Sequence, residues 1–243
     1  MGGSRSIREL RQLTLAFPLN AQCCLDNFLV DGNEELVARI RSLAAGPDGF
    51  AGCFLWGERG VGKSHLLQAA CQQVDASAEA AGGERRGAIY LPLADPEVVP
   101  GVLEGLDALA LVALDDLQCW VGRPDHEQAL LGLYQGLVQS GGRLLLGADR
   151  YQLDFRYADL ASRVRALAAF RVRPLDDTGK GRVLQRLAAE RGLELEASVV
   201  DFWLMRGPRA LPELITQLDV LDRAALAAHR RLTVPLLKAA LDL

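Results

Sequence analysis

The stretch GERGVGKS, residues 57–64, fits the pattern G-x-x-x-x-G-K-[ST] of a phosphate-binding loop. In such a loop the glycines let backbone N–H groups turn inward around a phosphate, and Lys63 adds a positive charge. The Ser64 hydroxyl can join the ligands of Mg²⁺, and the following helix presents its N-terminus to the anion. An apolar run precedes the loop and the helical pattern SHLLQAACQQV follows it, as this motif requires. A glycine-rich turn without a ligand is the weaker alternative.

The stretch LVALDDLQ (111–118) supplies the second half of a nucleotide site. Its apolar residues predict a buried strand that ends in two neighbouring carboxylates. Asp115 stands where it can hold the Mg²⁺ shell, and Asp116 where it can orient or deprotonate a water molecule. Two solvated acids at a strand end are the alternative, which the neighbouring phosphate loop disfavours. We therefore predict ADP or ATP with Mg²⁺ as cofactor, and Ser64 and Asp115 as metal ligands.

Five short apolar runs alternate with amphipathic stretches in the first two-thirds of the chain. They are nearly continuous in apolar residues, as strands covered on both faces must be. The runs are AGCFLW (51–56), AIYLPL (88–93), LALVALDD (109–116), RLLLGA (143–148) and ALAAFRV (166–172). Between them, 127–140 has the leucine spacing of an amphipathic helix, and 75–87 is predicted to be a polar loop. This alternation predicts an α/β fold with a parallel sheet that is flanked by helices.

The strand signal stops after Pro174, and helical patterns follow. They cover roughly 177–191, 196–206 and 209–229, and a last helix is predicted to begin near Thr233, a suitable N-cap. We therefore predict three parts of the chain. These are an N-terminal tail (1–20), an α/β nucleotide-binding domain (21–173) and a small all-helical domain (174–243).

Composition limits the classes of function. The 243 residues carry a net charge of −4, so no global basic field attracts the chain to DNA, and we expect no direct sequence-specific DNA binding. The five cysteines form no C-x-x-C pair and the three histidines are dispersed, which gives no zinc spacing. The sequence shows neither a signal peptide nor a membrane-spanning apolar run. We therefore expect a cytoplasmic protein without membrane contact.

The order of these motifs resembles that of the AAA+ ATPases, and among them of the bacterial replication initiator DnaA and its relatives. LWGERGVGKSHLLQA (55–69) is similar to the initiator's phosphate loop, including His65, and LDDLQ to its acidic strand end. LGADRY (146–151) resembles the sensor-1 segment, with Asp149 at the sensor position. NFLVDGNEELV (27–37), here named the adenine segment, resembles the stretch that lines the adenine pocket. The helical tail resembles the family's lid domain.

DLASRV (159–164) resembles the family's box that ends in an arginine finger, which is Arg163 in this chain. The resemblance implies that Arg163 reaches the γ-phosphate held by a neighbour and stabilises transition-state charge, worth about 10³–10⁵ in rate. A surface arginine that pairs with Asp159 is the alternative. Arg163, Asp116 and Asp149 are thus the predicted catalytic residues. The predicted nucleotide contacts are Gly57, Glu58, Arg59, Gly60, Val61, Gly62, Lys63, Ser64, His65 and Arg209.

One position departs from the initiator's pattern. Where the initiator has its sensor-2 arginine in V-R-E-L, this chain has LPEL with Pro212, and Arg209 lies about one helical turn earlier as a candidate substitute. Without that contact to the phosphates we expect weak intrinsic ATP hydrolysis. The bound nucleotide, chiefly ADP, would then act as a conformational ligand. Asp116 stands where many AAA+ enzymes have Glu, which argues against assigning it as a base.

The chain ends at Leu243, without the DNA-binding domain that follows the initiator's lid. This short form resembles the Hda family of DnaA inactivators, whose members carry an N-terminal peptide for the DNA polymerase sliding clamp. QLTLAF (12–17), here named the clamp peptide, fits the pattern Q-x-x-L-x-F through Gln12, Leu15 and Phe17, with Leu13 as a further apolar side chain. An edge strand or a swapped arm is the alternative for so short a match.

The resemblance implies a regulatory AAA+ protein that binds the DNA-loaded clamp and is thereby associated with the nucleoid. It would stimulate hydrolysis of the ATP bound to DnaA and so prevent re-initiation, and it is a possible homodimer. Two other functions stay open at this point. One is a self-sufficient ATPase motor or loader in DNA replication, and the other is a nucleotide-dependent scaffold without stimulated hydrolysis. Which nucleotide state is active stays open as well.

Overall fold

Five parallel strands form a sheet in the order β2-β3-β4-β1-β5. The computed structural model describes residues 17–20, 22–46, 49–80, 87–228 and 231–242. The strands are β1 (Ala51–Trp56), β2 (Ala88–Pro92), β3 (Leu111–Asp115), β4 (Arg143–Ala148) and β5 (Ala168–Arg171). Each strand lies within one of the five apolar runs of the sequence, so the predicted α/β fold with a parallel sheet is confirmed.

Burial on both faces explains why the strands are continuous apolar runs. Every residue of β3 and β4 is buried, whereas β5, at the edge, alternates between half-buried and exposed residues. Alternate residues of a strand belong to two separate core clusters on opposite faces of the sheet. In β3, Val112 and Leu114 belong to one cluster, and Leu111 and Ala113 belong to the other.

Helices cover both faces of the sheet. The helices of this part of the chain are α1 (Glu34–Ala45), α2 (Lys63–Ala80), α3 (Pro124–Ser140) and α4 (Ala158–Ala166), and the 3₁₀ helices are Pro100–Leu103, Leu106–Ala108 and Leu117–Cys119. Apolar residues of α1 and α2 join one core cluster, and those of α3 and α4 join the other. The helix predicted over 127–140 is confirmed and begins one turn earlier, at Pro124.

Two features of this region differ from the sequence analysis. Helix α1 was not predicted, although Leu36, Val37, Ile40 and Leu43 give it an apolar stripe of helical period. Helix α2 continues to Ala80, so the predicted polar loop is wrong over residues 75–80. Tertiary contacts stabilise this extension, because Ala78 is buried and Asp75 Oδ1 accepts the backbone N–H of Ala88 at 2.8 Å. Residues 81–86 of the predicted loop lie outside the described residues.

The chain divides into two compact units after Arg173. The second unit is helical in its described residues, as predicted. Its helices are α5 (Asp177–Glu190), α6 (Ala197–Arg206), α7 (Leu211–Ala228) and α8 (Val234–Leu241). They surround their own apolar core, in which Trp203 is fully buried and donates Nε1–H to Gln217 at 2.7 Å. The predicted N-cap is confirmed, since the Thr233 hydroxyl accepts the N–H of Leu236 at 3.4 Å.

None of the helices in the described part of the chain combines the length and the apolar composition that crossing a membrane requires.

Candidate functional site

The phosphate-binding loop connects β1 to α2, as its motif predicts, and Lys63 closes it. Lys63 is buried, and its Nζ donates to the carbonyl oxygens of Gly57 at 2.7 Å and Glu58 at 2.8 Å. Burial lowers the pKa of Lys63, while the charges of the nearby acidic side chains oppose that effect. The ammonium group is therefore desolvated and held by two neutral carbonyls. A phosphate oxygen that entered the loop would give it a stronger, charged acceptor.

Two glycines of the loop occupy conformations that a side chain would disturb. Gly62 has φ +103°, and a Cβ there would lie 2.8 Å from the Phe28 ring. Gly57 has φ +155°, and its Cβ would lie 2.8 Å from the carbonyl oxygen of Val172. The absence of side chains thus lets the loop lie against the adenine segment and the residue after β5. Of the other predicted contacts in the loop, Glu58 and Arg59 are exposed, and Gly60 and Val61 are half-buried.

The carboxylate of Asp115, at the end of β3, is 1% exposed and lies beside the loop. Its Oδ2 accepts the hydroxyl of Tyr90 at 3.0 Å, and its Oδ1 accepts the N–H of Asp116 at 2.9 Å. The Tyr90 hydroxyl is also hydrogen-bonded to Ser64. Burial, and then the charge of Asp115, raise the pKa of Tyr90, so the phenol stays protonated and able to donate. Tyr90 thus joins the two predicted metal ligands.

Tyr90 is not among the predicted site residues, because a tyrosine in an apolar strand is most often a core residue. The pairing of β2 with β3 indicates its role, since Tyr90 pairs with Ala113, two residues before Asp115. Residues two apart in a strand point to the same face, so Tyr90 and Asp115 share one face of the sheet.

A second missed residue, Gln118, connects the other two predicted catalytic acids. Its Nε2 donates to Asp116 Oδ1 at 3.0 Å, and its Oε1 accepts the backbone N–H of Asp149 at 3.1 Å. Asp116 itself has φ +55°, a left-handed conformation that is uncommon outside glycine. The Asp149 carboxylate is exposed and pairs with Arg150 at 3.0 Å. The amide of Gln118 therefore fixes the segment after β3 to the segment after β4.

The two predicted metal ligands suit Mg²⁺ that arrives with a nucleotide. Among the residues that the structure describes, no group of three or more His, Cys, Asp or Glu side chains could hold a metal by itself. Ser64 and Asp115 supply one hydroxyl and one carboxylate, joined through the Tyr90 hydroxyl. Mg²⁺ is commonly held by one or two protein oxygens, substrate phosphates and water rather than by an all-protein cage.

The adenine segment lies against the phosphate loop. The Phe28 and His65 rings lie 5.6 Å apart, and His65 Nε2 donates to the carbonyl oxygen of Cys24 at 3.0 Å. Asn33 is buried at the other end of the segment, where its Nδ2 donates to the carbonyl oxygen of Arg173 and its Oδ1 accepts the N–H of Arg173, at 3.2 Å and 2.8 Å. Asn33, which the sequence analysis did not single out, thus fixes the last residue of the α/β unit.

Arg163 lies on α4, and its guanidinium contacts two side chains. Its Nε donates to Asp159 Oδ1 at 3.0 Å, and its Cζ lies 5.3 Å from the centroid of the Tyr134 ring. The Arg163 side chain is 31% exposed and that of Asp159 is 54% exposed. The ion pair that the sequence analysis named as an alternative is therefore present. An exposed pair of this i,i+4 kind contributes about 0.3–0.5 kcal/mol, so it is readily exchanged.

Arg209 lies in the second unit, just before α7. Its side chain is 75% exposed and donates to Asp177 Oδ2 at 3.2 Å. Hydrogen bonding to Lys180, and then the charge of Arg209, hold the pKa of Asp177 below its ordinary value. Pro212 occupies the first turn of α7, where a missing N–H is tolerated. A contact between Arg209 and nucleotide stays a prediction.

Phe17 is the member of the clamp peptide that falls within the described residues. It is half-buried and packs against one of the two core clusters of the α/β unit. The predicted contacts Gln12, Leu13 and Leu15 lie outside the described residues.

Two family models match separate parts of this chain. Residues 19–82 match the family model of the bacterial DnaA ATPase domain, and residues 177–241 match that of the Hda lid domain. The first match includes the adenine segment and the phosphate loop, and the second includes the four helices of the second unit.

Solved structures share the fold. Domain III of the Thermotoga maritima replication initiation protein DnaA is 20% identical, with a TM-score of 0.78 over 93% of this chain and 98% of that one. AMPPCP-bound DnaA from Aquifex aeolicus is 23% identical, with a TM-score of 0.67 over 84% of this chain and 66% of that one. The Thermotoga maritima RuvB Holliday junction branch migration motor is 12% identical, with a TM-score of 0.62 over 88% and 69%. The predicted AAA+ fold with a helical lid is thereby confirmed.

Proposed function

This chain belongs to the DnaA-related Hda family of AAA+ proteins, and from that premise we propose that it prevents re-initiation of replication by stimulating hydrolysis of DnaA-bound ATP. Arg163 acts in trans as the arginine finger. The clamp peptide binds the DNA-loaded sliding clamp and so brings the protein, in the cytoplasm, to DNA that has just been replicated.

The nucleotide site supports binding of ADP or ATP with Mg²⁺ by this chain. DnaA from Aquifex aeolicus has been solved with AMPPCP. In this chain Lys63 and the loop amides would hold the phosphates, and Ser64 and Asp115 would hold the metal. The metal, when bound, would neutralise phosphate charge. We expect the nucleotide to stabilise the active conformation rather than to be turned over rapidly.

The observation that carries the proposal is the position of Arg163 on α4. Its guanidinium is partly exposed, and its ion pair with Asp159 is the weak, exposed kind, worth about 0.3–0.5 kcal/mol. A hydrogen bond to a charged acceptor such as phosphate contributes about 1.5–3 kcal/mol. Leaving Asp159 for the phosphate of a bound partner therefore costs Arg163 little. This comparison supports a role in trans over a purely structural ion pair.

The clamp interaction rests on the match of residues 12–17 to the clamp-binding pattern. An extended peptide of this kind sets a leucine and an aromatic side chain into an apolar pocket, while Gln hydrogen-bonds at the rim. Phe17 packs against the core of the α/β unit, so it must leave that contact to enter a pocket of the clamp. We expect this exchange of one apolar environment for another to involve little net loss of apolar burial.

The test is hydrolysis of radiolabelled ATP bound to DnaA, with and without this protein, in the presence of clamp loaded on DNA. We expect clamp-dependent stimulation that falls by about 10³-fold or more in Arg163→Ala, within the range for an arginine finger. Arg165→Ala is the matched control, because Arg165 is exposed on the same helix and donates to the carbonyl oxygen of Ala161. Stimulation that survives in Arg163→Ala would contradict the proposed mechanism.

The clamp peptide is tested in the same assay with Gln12 and Phe17 both changed to Ala. We expect stimulation to be lost at low protein concentration and restored at high concentration, because the tether raises the local concentration without touching the chemistry. Equal stimulation by this variant and the unaltered protein, with or without clamp, would contradict the tether.

Intrinsic hydrolysis distinguishes this function from a self-sufficient motor or loader. We expect the rate of ATP hydrolysis by this protein alone to be far below the rate at which DnaA hydrolyses ATP in its presence. Substantial turnover, lost in Lys63→Ala, would favour the motor. If the protein does not stimulate hydrolysis by DnaA under any nucleotide condition, the nucleotide-dependent scaffold would be the remaining function.

A further inference from the structure

Glu127, in the first turn of α3, is a fully buried carboxylate that the nucleotide site does not use. Its Oε1 accepts the backbone N–H of Gly122 at 2.6 Å and that of Arg156 at 3.0 Å. Its Oε2 accepts the backbone N–H of Tyr157 at 2.9 Å. Burying a charge without water is costly unless hydrogen bonds replace its hydration. Three backbone amides provide that replacement here.

Two of these amides belong to the start of α4, the helix that carries Arg163. Tyr157 is the N-cap residue of α4, and its own side chain makes no capping hydrogen bond. The first N–H groups of a helix lack partners within the helix, and a glutamate often satisfies the N-cap N–H. That glutamate normally comes from the third position of the same helix. Here it comes from α3, about thirty residues earlier in the chain.

The same helix α3 also contacts the finger itself. Tyr134 lies two turns after Glu127, is buried against Phe50 with ring centroids 5.0 Å apart, and carries the Arg163 guanidinium over its ring at 5.3 Å. A cation over an aromatic ring is attracted by the negative face of the ring's π-system. Helix α3 therefore holds α4 at its beginning, through Glu127, and near its end, through Tyr134.

We propose that Glu127 is a positioning residue for the arginine finger, which fixes the start of α4 so that Tyr134 and Asp159 hold Arg163 at one defined place on the surface. The inference rests on the proposed role of Arg163 in trans. A finger must lie within a fraction of an ångström of its productive position, because an error of about 1 Å can cost 10²-fold in rate. A helix of only nine residues gains that precision from a rigid, buried anchor.

The first variant is Glu127→Gln, which keeps the shape but replaces one acceptor oxygen with an NH₂ that faces a backbone N–H. We expect the maximal rate of stimulated ATP hydrolysis on DnaA to fall by about 10- to 100-fold. The protein concentration that gives half-maximal stimulation should change less than about 3-fold, because the binding surfaces are intact. Asp125→Asn is the matched control, since it removes an exposed carboxylate from the same turn of α3.

The second readout needs no partner and separates the two proposals. Hydrogen exchange measured by mass spectrometry should become faster over residues 155–166 in Glu127→Gln, and should stay unchanged in Asp125→Asn. Unchanged exchange there in Glu127→Gln would overturn the positioning role, whatever the hydrolysis assay gives. If the unaltered protein fails to stimulate DnaA while exchange responds as expected, the proposed function falls and Glu127 remains the anchor of α4.

If Glu127→Gln fails to fold, Tyr134→Leu still tests the inference. Leucine keeps the site apolar while removing the ring beneath Arg163, so the main-chain hydrogen bonds of Glu127 should persist. We expect unchanged exchange over residues 155–166 together with a fall of about 3- to 10-fold in the maximal stimulated rate. Full stimulation by Tyr134→Leu and by folded Glu127→Gln would overturn the inference.

Discussion

Changing Tyr90 to Phe removes one oxygen atom, and the structure predicts a loss of stability that depends on the charge of Asp115. The Tyr90 hydroxyl donates at 3.0 Å to a carboxylate that is 1% exposed. A hydrogen bond to a charged group contributes about 1.5–3 kcal/mol, and a buried carboxylate that loses a donor has no water to replace it. The bond to Ser64 matters less, because Ser64 is exposed and its hydroxyl can turn to water. We therefore expect Tyr90→Phe to lower the free energy of unfolding of the α/β unit by about 1.5–3 kcal/mol.

A double-mutant cycle with Asp115→Asn isolates the charged hydrogen bond. In that background the same hydroxyl meets a neutral oxygen, where a hydrogen bond contributes about 0.5–1.5 kcal/mol. The coupling energy between the two positions should therefore be about 1–2 kcal/mol. Hydrogen exchange of amides in β3 and β4 measures the unfolding free energy of this unit alone, without a contribution from the lid.

A coupling energy below about 0.5 kcal/mol would refute the reasoning, because the two side chains would then act independently. The same result with a large effect of Tyr90→Phe alone would assign the loss to the other hydrogen bond of the hydroxyl, which it makes with Ser64. Tyr151→Phe serves as the matched control, since Tyr151 is 43% exposed and its hydroxyl loss should change the unfolding free energy by less than about 0.5 kcal/mol.

Three further changes have defined outcomes. Gly62→Ala should weaken ADP binding in a fluorescence titration, because Gly62 has φ +103° and an added Cβ would meet an aromatic ring. Gly132→Ala, where nothing lies near the added Cβ, should leave the affinity unchanged, and equal affinities of the two variants would contradict the steric argument. Asn33→Ala should lower the free energy of unfolding by about 1–3 kcal/mol and accelerate hydrogen exchange at the backbone amide of Arg173. An unchanged exchange rate there would show that this hydrogen bond does not contribute to stability. Burial raises the pKa of Asp75 above its ordinary 3.8, so the folded protein binds more protons than the unfolded chain just above that pH, and stability falls as the pH rises through this window. Asp75→Asn keeps an acceptor for the backbone N–H of Ala88 but removes the titrating group, so it should abolish the contribution of Asp75 to this fall. Thermal midpoints of both proteins are measured between about pH 3 and 7, and a constant difference between the two across this range would contradict the prediction.

The sequence predicts the strands of this fold well because a strand buried on both faces leaves an unbroken apolar run. It does not predict their order, in which β1 lies between β4 and β5, since that order depends on pairings between distant residues. Helix α1 shows a different limit. Its apolar stripe is visible in the sequence, but the stripe begins inside the adenine segment, whose resemblance to a pocket lining specifies no helix.

In the site, too, residues that belong to a short motif are predictable from the sequence, whereas residues that act through distant contacts are not. Lys63, Ser64 and Asp115 are predictable because a short motif at fixed spacing specifies their chemistry. Tyr90 and Glu127 are not, because each acts through a hydrogen bond to a residue 25 or more positions away. In sequence, the first is one more ring in an apolar strand, and the second is an ordinary acid in the first turn of a helix.

The place of β1 within the sheet has a consequence for biosynthesis. Both neighbours of β1 follow it in the chain, and the second of them ends at Arg171, about 115 residues after Trp56. At translation rates of about 5–20 residues per second, roughly 6–23 s separate the synthesis of the phosphate loop from that of its last supporting strand. Throughout that interval β1 lacks β5, and the nascent chain exposes an apolar strand that chaperones can bind. The candidate nucleotide site is thus completed late in synthesis, once β5 has left the ribosome and paired with β1.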